Sequence, residues 1–545
     1  MHSKRLGSYA YLKAEEFDDA ISDADEFIKR NPEGHLGYVL KASALREIDR
    51  IEEAINLLKS APEKARAHET MPALLKELEN ECALDNVLAK DHPEILRFER
   101  FVKWLRDGGA KFDKVKMRYY SANYRGVHAK LRVKKNEVLV YIPLNLIITL
   151  EMSKEAPIGA KMEEAKLKLL SPKHSFLSSY VLQELRKPDS KWQPYLDMLP
   201  KSTNNFPIFF TPEERTWLTG SPFLQQVETK IEDVSRDYQT IIDTVPEFSQ
   251  FTLKEFSHVR MLISSRIFGI NVNNVKTDSL VPLADMLNHK CPQQTSWEYK
   301  EDVKGFVIDV KEPIPRGDEI YDSYGRKCNS RFFMNYGFIL ENNQDNEVPI
   351  KIWLDKSDPL FSAKYDIIQQ DDPKTIRISE SPQNKNLEDL FSYLRFTEFQ
   401  GDPMVLYKFE FQKQTKKRSD ENDFYETYHG TYFPPLSTEN EVAALEKAIK
   451  LAKDMLAQYK TTYEEDLKIL ETDKTLTFNH RNCVMMRSGE KKILLKLIEL
   501  GNLGLEYIKL PIKKAKDLYS KVKDKDMLDM YFVKMLFPFM SSTNK

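Results

Sequence analysis

Two stretches of this chain gather side chains suited to holding a small charged molecule. Val281-Pro282-Leu283-Ala284-Asp285-Met286-Leu287-Asn288-His289 offers a carboxylate, a carboxamide and an imidazole in quick succession. Glu319-Ile320-Tyr321-Asp322-Ser323-Tyr324-Gly325, followed by Asn335-Tyr336-Gly337-Phe338, sets phenols beside glycines. A carboxamide oxygen accepts from an ammonium, and a phenol orients a partner by hydrogen bonding without a formal charge at neutral pH. Aromatic faces attract alkylated cations. Arg266, upstream of the first stretch, suits a carboxylate bound through two hydrogen bonds. An Asn-His pair alone is common, and tyrosines along strands usually pack. The order and spacing of the two stretches carry the weight.

That order and spacing resemble the Asn-His motif and tyrosine-bearing segment of a SET-domain methyltransferase. The likeness is closest to the class of the rubisco large-subunit lysine methyltransferase and the actin-histidine methyltransferase. It implies S-adenosylmethionine as methyl donor, no metal, and a protein as substrate. By resemblance Tyr324 is the catalytic tyrosine, and Asn288, His289 and Arg266 hold the donor, with Gly337 and Phe338 beside it. Asp285 and Tyr336 then belong to the substrate channel. Phe268, two residues after Arg266, stands where the lysine-methylating relative has phenylalanine and the histidine-methylating one asparagine. Phenylalanine cannot bond an imidazole nitrogen, so lysine is the expected acceptor and histidine the alternative. The glycine segment, Asn123-Tyr124-Arg125-Gly126-Val127-His128-Ala129, is also assigned to the donor, with Gly126 allowing close backbone approach. It departs from the class pattern Glu-Gly-x-Gly-Leu, having Asn123 for glutamate and Tyr124 for the first glycine. A silent scaffold serving as a protein adaptor is the reading from a different functional class.

The composition fits a soluble multidomain protein: 545 residues, 41% apolar, 30% charged, with 30 Phe and 25 Tyr. A net charge of −2 gives no general attraction to nucleic acid. Four scattered cysteines argue for a reducing compartment and against a zinc cluster. No signal-peptide core stands at the N-terminus, and the apolar run Val138–Leu150 is too short to span a membrane. A cytoplasmic protein is expected, possibly nuclear as well given the basic cluster Lys413, Lys416, Lys417 and Arg418, although a solvated loop is the more ordinary reading of that cluster.

An α+β fold must position these groups. Phe17, Ala20 and Ile21 recur 34 residues later as Ile51, Ala54 and Ile55, resembling tetratricopeptide repeats over residues 1–89. Two repeats bury too little to stand alone, so this module should lean on a neighbour or bind a partner. A helix from His92 should stop at Gly108-Gly109. A SET β-core over 92–347 should follow, interrupted by a helical insertion at about 153–259. Within that insertion Lys191 to Pro200 resembles a class signature. Residues 348–545 should form an all-α substrate-binding domain.

Overall fold

The computed structural model describes residues 16–369, 372–381, 386–406 and 433–543. The basic cluster at 413–418 lies outside them. Contacts divide the chain into two compact units. The first comprises 1–168, 172–201 and 240–326; the second comprises 169–171, 202–239 and 327–545. The expected helical insertion is therefore shared, since 169–171 and 202–239 pack with the second unit and the remainder with the first.

The first unit begins with helices α1 (Phe17–Arg30), α2 (His35–Glu47), α3 (Ile51–Ser60) and α4 (Thr70–Asp85). The repeated alanines explain their close packing: Ala20 and Ala54 are fully buried, leaving room for a neighbouring helix at each contact. Helix α5 (Pro93–Asp107) starts with Pro93 in its first turn and a cap from the His92 ring to the Glu94 amide, and it buries Phe101 and Leu105. Gly109, at φ +96°, turns the chain out of it.

The repeats lean on the β-core, as two units must, and the contact is ionic. Strand β1 (Val115–Ser121) presents Lys116 to Asp49 and Asp85, each at 2.7 Å, and Arg118 to Asp85 at 2.7 Å. Arg316 pairs with Glu81 of α4. Burial opposes the charge on Asp85, but hydrogen bonds and attraction from Lys116 and Arg118 outweigh it and hold the carboxyl below its usual range. A depressed folded pKa means this stability is present above the ordinary carboxylate value and is lost as pH falls through the folded value. Thermal melts from pH 7 downward should therefore show the protein weakening below about pH 4. Asp85→Asn should be less stable at pH 7 and lose less on acidification. An unchanged acid profile would remove Asp85 from the account.

Three small sheets build the core. Strand β2 (Tyr124–Ala129) pairs antiparallel with β1. Strand β9 (Gly305–Val310) lies between β3 (Val138–Pro143) and β8 (Thr295–Lys300). Strand β6 (Val275–Leu280) lies between β4 (Ile148–Thr149) and β5 (Ile267–Val272). Asn273 and Asn274 both take positive φ, as a tight turn joining twisted strands β5 and β6 requires. Two short parallel strands, β7 (Asn288–His289) and β10 (Tyr321–Asp322), then set Tyr321 opposite Asn288 and Asp322 opposite His289. The two motifs thus lie side by side.

The second unit is mostly helical, but it is not all-α. Strands β11 (Glu347–Ile352) and β12 (Lys374–Ser379) pair antiparallel across an intervening helix, Phe361–Ile368. Val348, Ile350 and Ile352 face Ile376 and Ile378 within a shared apolar core, a strand-like alternation inside a region otherwise of helical period. Among the described residues no helix is long and apolar enough to cross a membrane.

Candidate active site

Helix α6 (Leu253–Arg266) opens with a capping box, in which the Thr252 side chain accepts from the Glu255 amide and Glu255 reaches back. It ends on Arg266, and β5 begins at once. Arg266 Nη1 donates to the Asp285 main-chain oxygen at 2.7 Å and to its carboxylate at 3.2 Å. That carboxylate, whose side chain is wholly buried, also accepts from the Tyr195 hydroxyl at 2.8 Å. Burial resists charge on Arg266, but attraction from Asp285, Tyr195 and Tyr324 outweighs it and raises its pKa further. Asp285 Oδ1 and Arg266 Nε are buried without a hydrogen-bond partner among the described residues, so this pair keeps unused polar capacity. The turn that delivers Asp285 is strained, with buried Leu283 at φ +71°, a conformation costing an L-residue about 1–3 kcal/mol.

Asn288 Nδ2 donates to the Arg125 carbonyl at 3.1 Å and to Glu319 Oε1 at 2.7 Å. His289 Nδ1 accepts the Tyr324 amide at 3.0 Å, and the two rings stack with centroids 5.0 Å apart. That ring nitrogen braces the backbone and is not available to take a proton. The Tyr324 hydroxyl donates to the Leu287 carbonyl at 2.8 Å. Its proton is thereby committed, while its oxygen keeps accepting capacity.

Comparison with known proteins agrees with the fold. The SET domain family matches residues 124–325, and the Rubisco LSMT substrate-binding family matches residues 355–494. The chain thus carries a SET domain followed by a Rubisco LSMT substrate-binding domain. Among curated relatives, the actin-histidine N-methyltransferase of Mus musculus is 27% identical over 75% of this chain and 69% of its own length. The Homo sapiens protein of that name is 26% identical over the same shares. Similar solved structures include the SET domain of LSMT bound to lysine and AdoHcy, at TM-score 0.62 and 23% identity, covering 79% of this chain and 98% of that one. Rubisco LSMT bound to sinefungin and monomethyllysine gives TM-score 0.61 at 24% identity, covering 79% and 99%.

The SET core thus brings together Arg125, Gly126, Arg266, Asp285, Asn288, His289 and Tyr324. Arg125 donates to the Met198 carbonyl at 2.6 Å. Asn123 does not join them; it occupies the exposed turn between β1 and β2. Tyr124, 58% exposed, follows it on β2 with its ring 4.8 Å from that of Tyr120. Phe268 is buried edge-on to Trp297 and Phe306, with centroids 5.1 and 5.2 Å away. Tyr336, Gly337 and Phe338 belong to the second unit. There Tyr336 ends helix α7 (Asn329–Tyr336) and Gly337, at φ +75°, caps it. A Cβ on Gly337 would lie 2.3 Å from the Asn205 amide, so the chain needs glycine there.

Two participants escaped the sequence reading. Tyr195 lies in the Lys191–Pro200 signature, which named no role for it, and it turns out to hold Asp285. Glu319 opens the second motif, and its carboxylate lies against Asn288. A carboxylate two residues before Tyr321 in the same motif was the available signal.

Burial pushes the Cys328 thiol up to about 11, which keeps it protonated and a poor nucleophile at neutral pH. Among the described residues no group of three or more His, Cys, Asp or Glu side chains is placed to hold a metal ion.

Proposed function

We propose that this chain transfers a methyl group from S-adenosylmethionine to a lysine of a non-histone protein. Residues of the SET core fit such a donor. Arg266 and Asp285 keep unsatisfied polar atoms, Asn288 keeps its carboxamide oxygen, and the missing side chain at Gly126 leaves room for the Glu319 carboxylate beside them. Arg266 would hold the donor's carboxylate, and the Asn288 oxygen its ammonium. The bound donor supplies a methyl group on a positively charged sulfur.

The chain supplies the rest. A lysine amine, with an ordinary pKa of about 10.4, must be neutral to attack, and removal from water favours that form. Aligning amine, methyl and sulfur is mainly positioning. The Tyr324 oxygen, with its proton engaged by Leu287, offers lone pairs that orient the reacting groups without adding charge.

Phe268 carries the choice of lysine. Trp297 and Phe306 hold its ring in place, and that ring offers nothing to the second nitrogen of an imidazole. Histidine is the competing acceptor, favoured by the names of the relatives at 26–27% identity. Mass spectrometry of a lysate labelled with a tritiated donor decides between them. Methyl-lysine is expected, and Phe268→Asn should lower its formation; methylhistidine made by the unaltered enzyme would overturn the assignment.

A further inference from the structure

We propose that Glu319 is the anionic partner of the donor's α-ammonium group; this rests on the methyl-transfer reading above. Glu319 Oε1 accepts from Asn288, while Oε2 accepts from the hydroxyls of Tyr120 and Tyr321, each at 2.8 Å. All three donors are neutral. Among the described residues no lysine or arginine lies within ion-pair distance of this carboxylate. Behind Tyr120 stands His128, its Nε2 2.7 Å from the phenol oxygen and its Nδ1 2.8 Å from the Gly317 carbonyl. Burial pushes the His128 pKa down, so it supplies little positive charge at neutral pH. The result is a half-buried carboxylate, fixed by a collar of neutral donors and lacking a cation. Such a charge is costly to bury alone and gains from a cationic ligand.

The surroundings select the ligand. Glu319 Oε1 lies directly over Gly126, where a Cβ would come within 2.3 Å, so the carboxylate is pressed against the strand assigned to the donor. Asn288 spends its Nδ2 on Arg125 and Glu319, leaving Oδ1 to accept a second N–H of the same ammonium. The Tyr120 and Tyr124 rings stand beside the carboxylate and present aromatic faces to a cation. An ammonium has three donors, and Glu319 with Asn288 provides two acceptors side by side. The same chemistry would suit the ε-ammonium of a substrate lysine, so the test separates the two.

Calorimetry on the full-length protein would compare S-adenosylhomocysteine with 5′-methylthioadenosine, which lacks the amino-acid portion. Glu319→Gln should weaken S-adenosylhomocysteine binding by about tenfold or more, as loss of a charged hydrogen bond does, and leave methylthioadenosine within about twofold. Equal weakening of both ligands would make Glu319 merely structural and overturn the proposal. So would an unchanged affinity for S-adenosylhomocysteine, or a rise confined to the peptide KM. Should the variant not fold, deaminated S-adenosylhomocysteine tested on the unaltered protein replaces it, and binding equal to that of the parent ligand overturns the proposal. An unaltered protein that binds neither adenosyl ligand sinks the methyl-transfer reading itself, whereas binding unaffected by Glu319→Gln sinks only the role of Glu319.

Discussion

Tyr324→Phe should cut methyl transfer by roughly a hundredfold or more while leaving donor affinity nearly unchanged. The variant removes one oxygen. Its ring stack on His289 and its backbone bond to the same imidazole stay in place, so the strand crossing that shapes the donor site survives. The lost hydroxyl contact to Leu287 should cost only about 1 kcal/mol of stability. On the proposed reading, removing the phenol oxygen takes away the acceptor that orients the reacting groups. Single-turnover methylation beside calorimetry separates the two effects. Methyl transfer at the rate of the unaltered enzyme would remove Tyr324 from the chemistry. A parallel loss of donor affinity would make it a scaffold residue.

The residues of the candidate site were legible because their spacing in sequence carries across to space by one device, the parallel pairing of β7 with β10. That pairing puts Asn288 opposite Tyr321 and His289 opposite Asp322, and Tyr324 follows two residues later. Helical periodicity likewise located α5, and the recurring alanines located the close helix contacts of α1 and α3. What stayed hidden depended on partners far apart in sequence. Nothing local to Tyr195 says that its hydroxyl reaches Asp285, ninety residues on. Asn123 was assigned to the donor by its place in a motif, yet a two-residue turn between β1 and β2 carries it into solvent. The pairing of β11 and β12 was lost among helices because each strand is only six residues long. The ionic contact of the repeats was equally invisible. Asp49, Glu81 and Asp85 look like ordinary surface acids until Lys116, Arg118 and Arg316 are brought against them.

Glu441→Ala should be the most destabilising single change in the second unit, by about 3–5 kcal/mol. Glu441, on the helix Thr438–Leu456, and Arg395, on the helix Asn386–Thr397, are both wholly buried. Arg395 Nε donates to Oε2 at 2.5 Å and Nη2 to Oε1 at 2.9 Å, a paired geometry that fits guanidinium to carboxylate. The Tyr531 hydroxyl donates to Oε1 at 2.6 Å, and Arg395 Nη1 donates to the Phe433 carbonyl at 3.2 Å. Three separated segments are thereby tied to one carboxylate inside an apolar core. Alanine would strip a buried guanidinium of its counter-charge, leaving the Phe433 carbonyl, the Met535 sulfur and the Phe391 ring beside it, and the cost comes mostly from that uncompensated charge. Replacing both partners, as Arg395→Met with Glu441→Leu, should therefore recover much of the loss, since two apolar side chains of similar volume need no desolvation of charge. Denaturant melts of the full chain would compare the single and double variants. A double variant no more stable than Glu441→Ala would show that the bonds from Tyr531 and to Phe433 outweigh the charge. A single variant within 1 kcal/mol of the unaltered protein, a threshold of about the value of one ordinary hydrogen bond, would show that water reaches Arg395 once the carboxylate is gone.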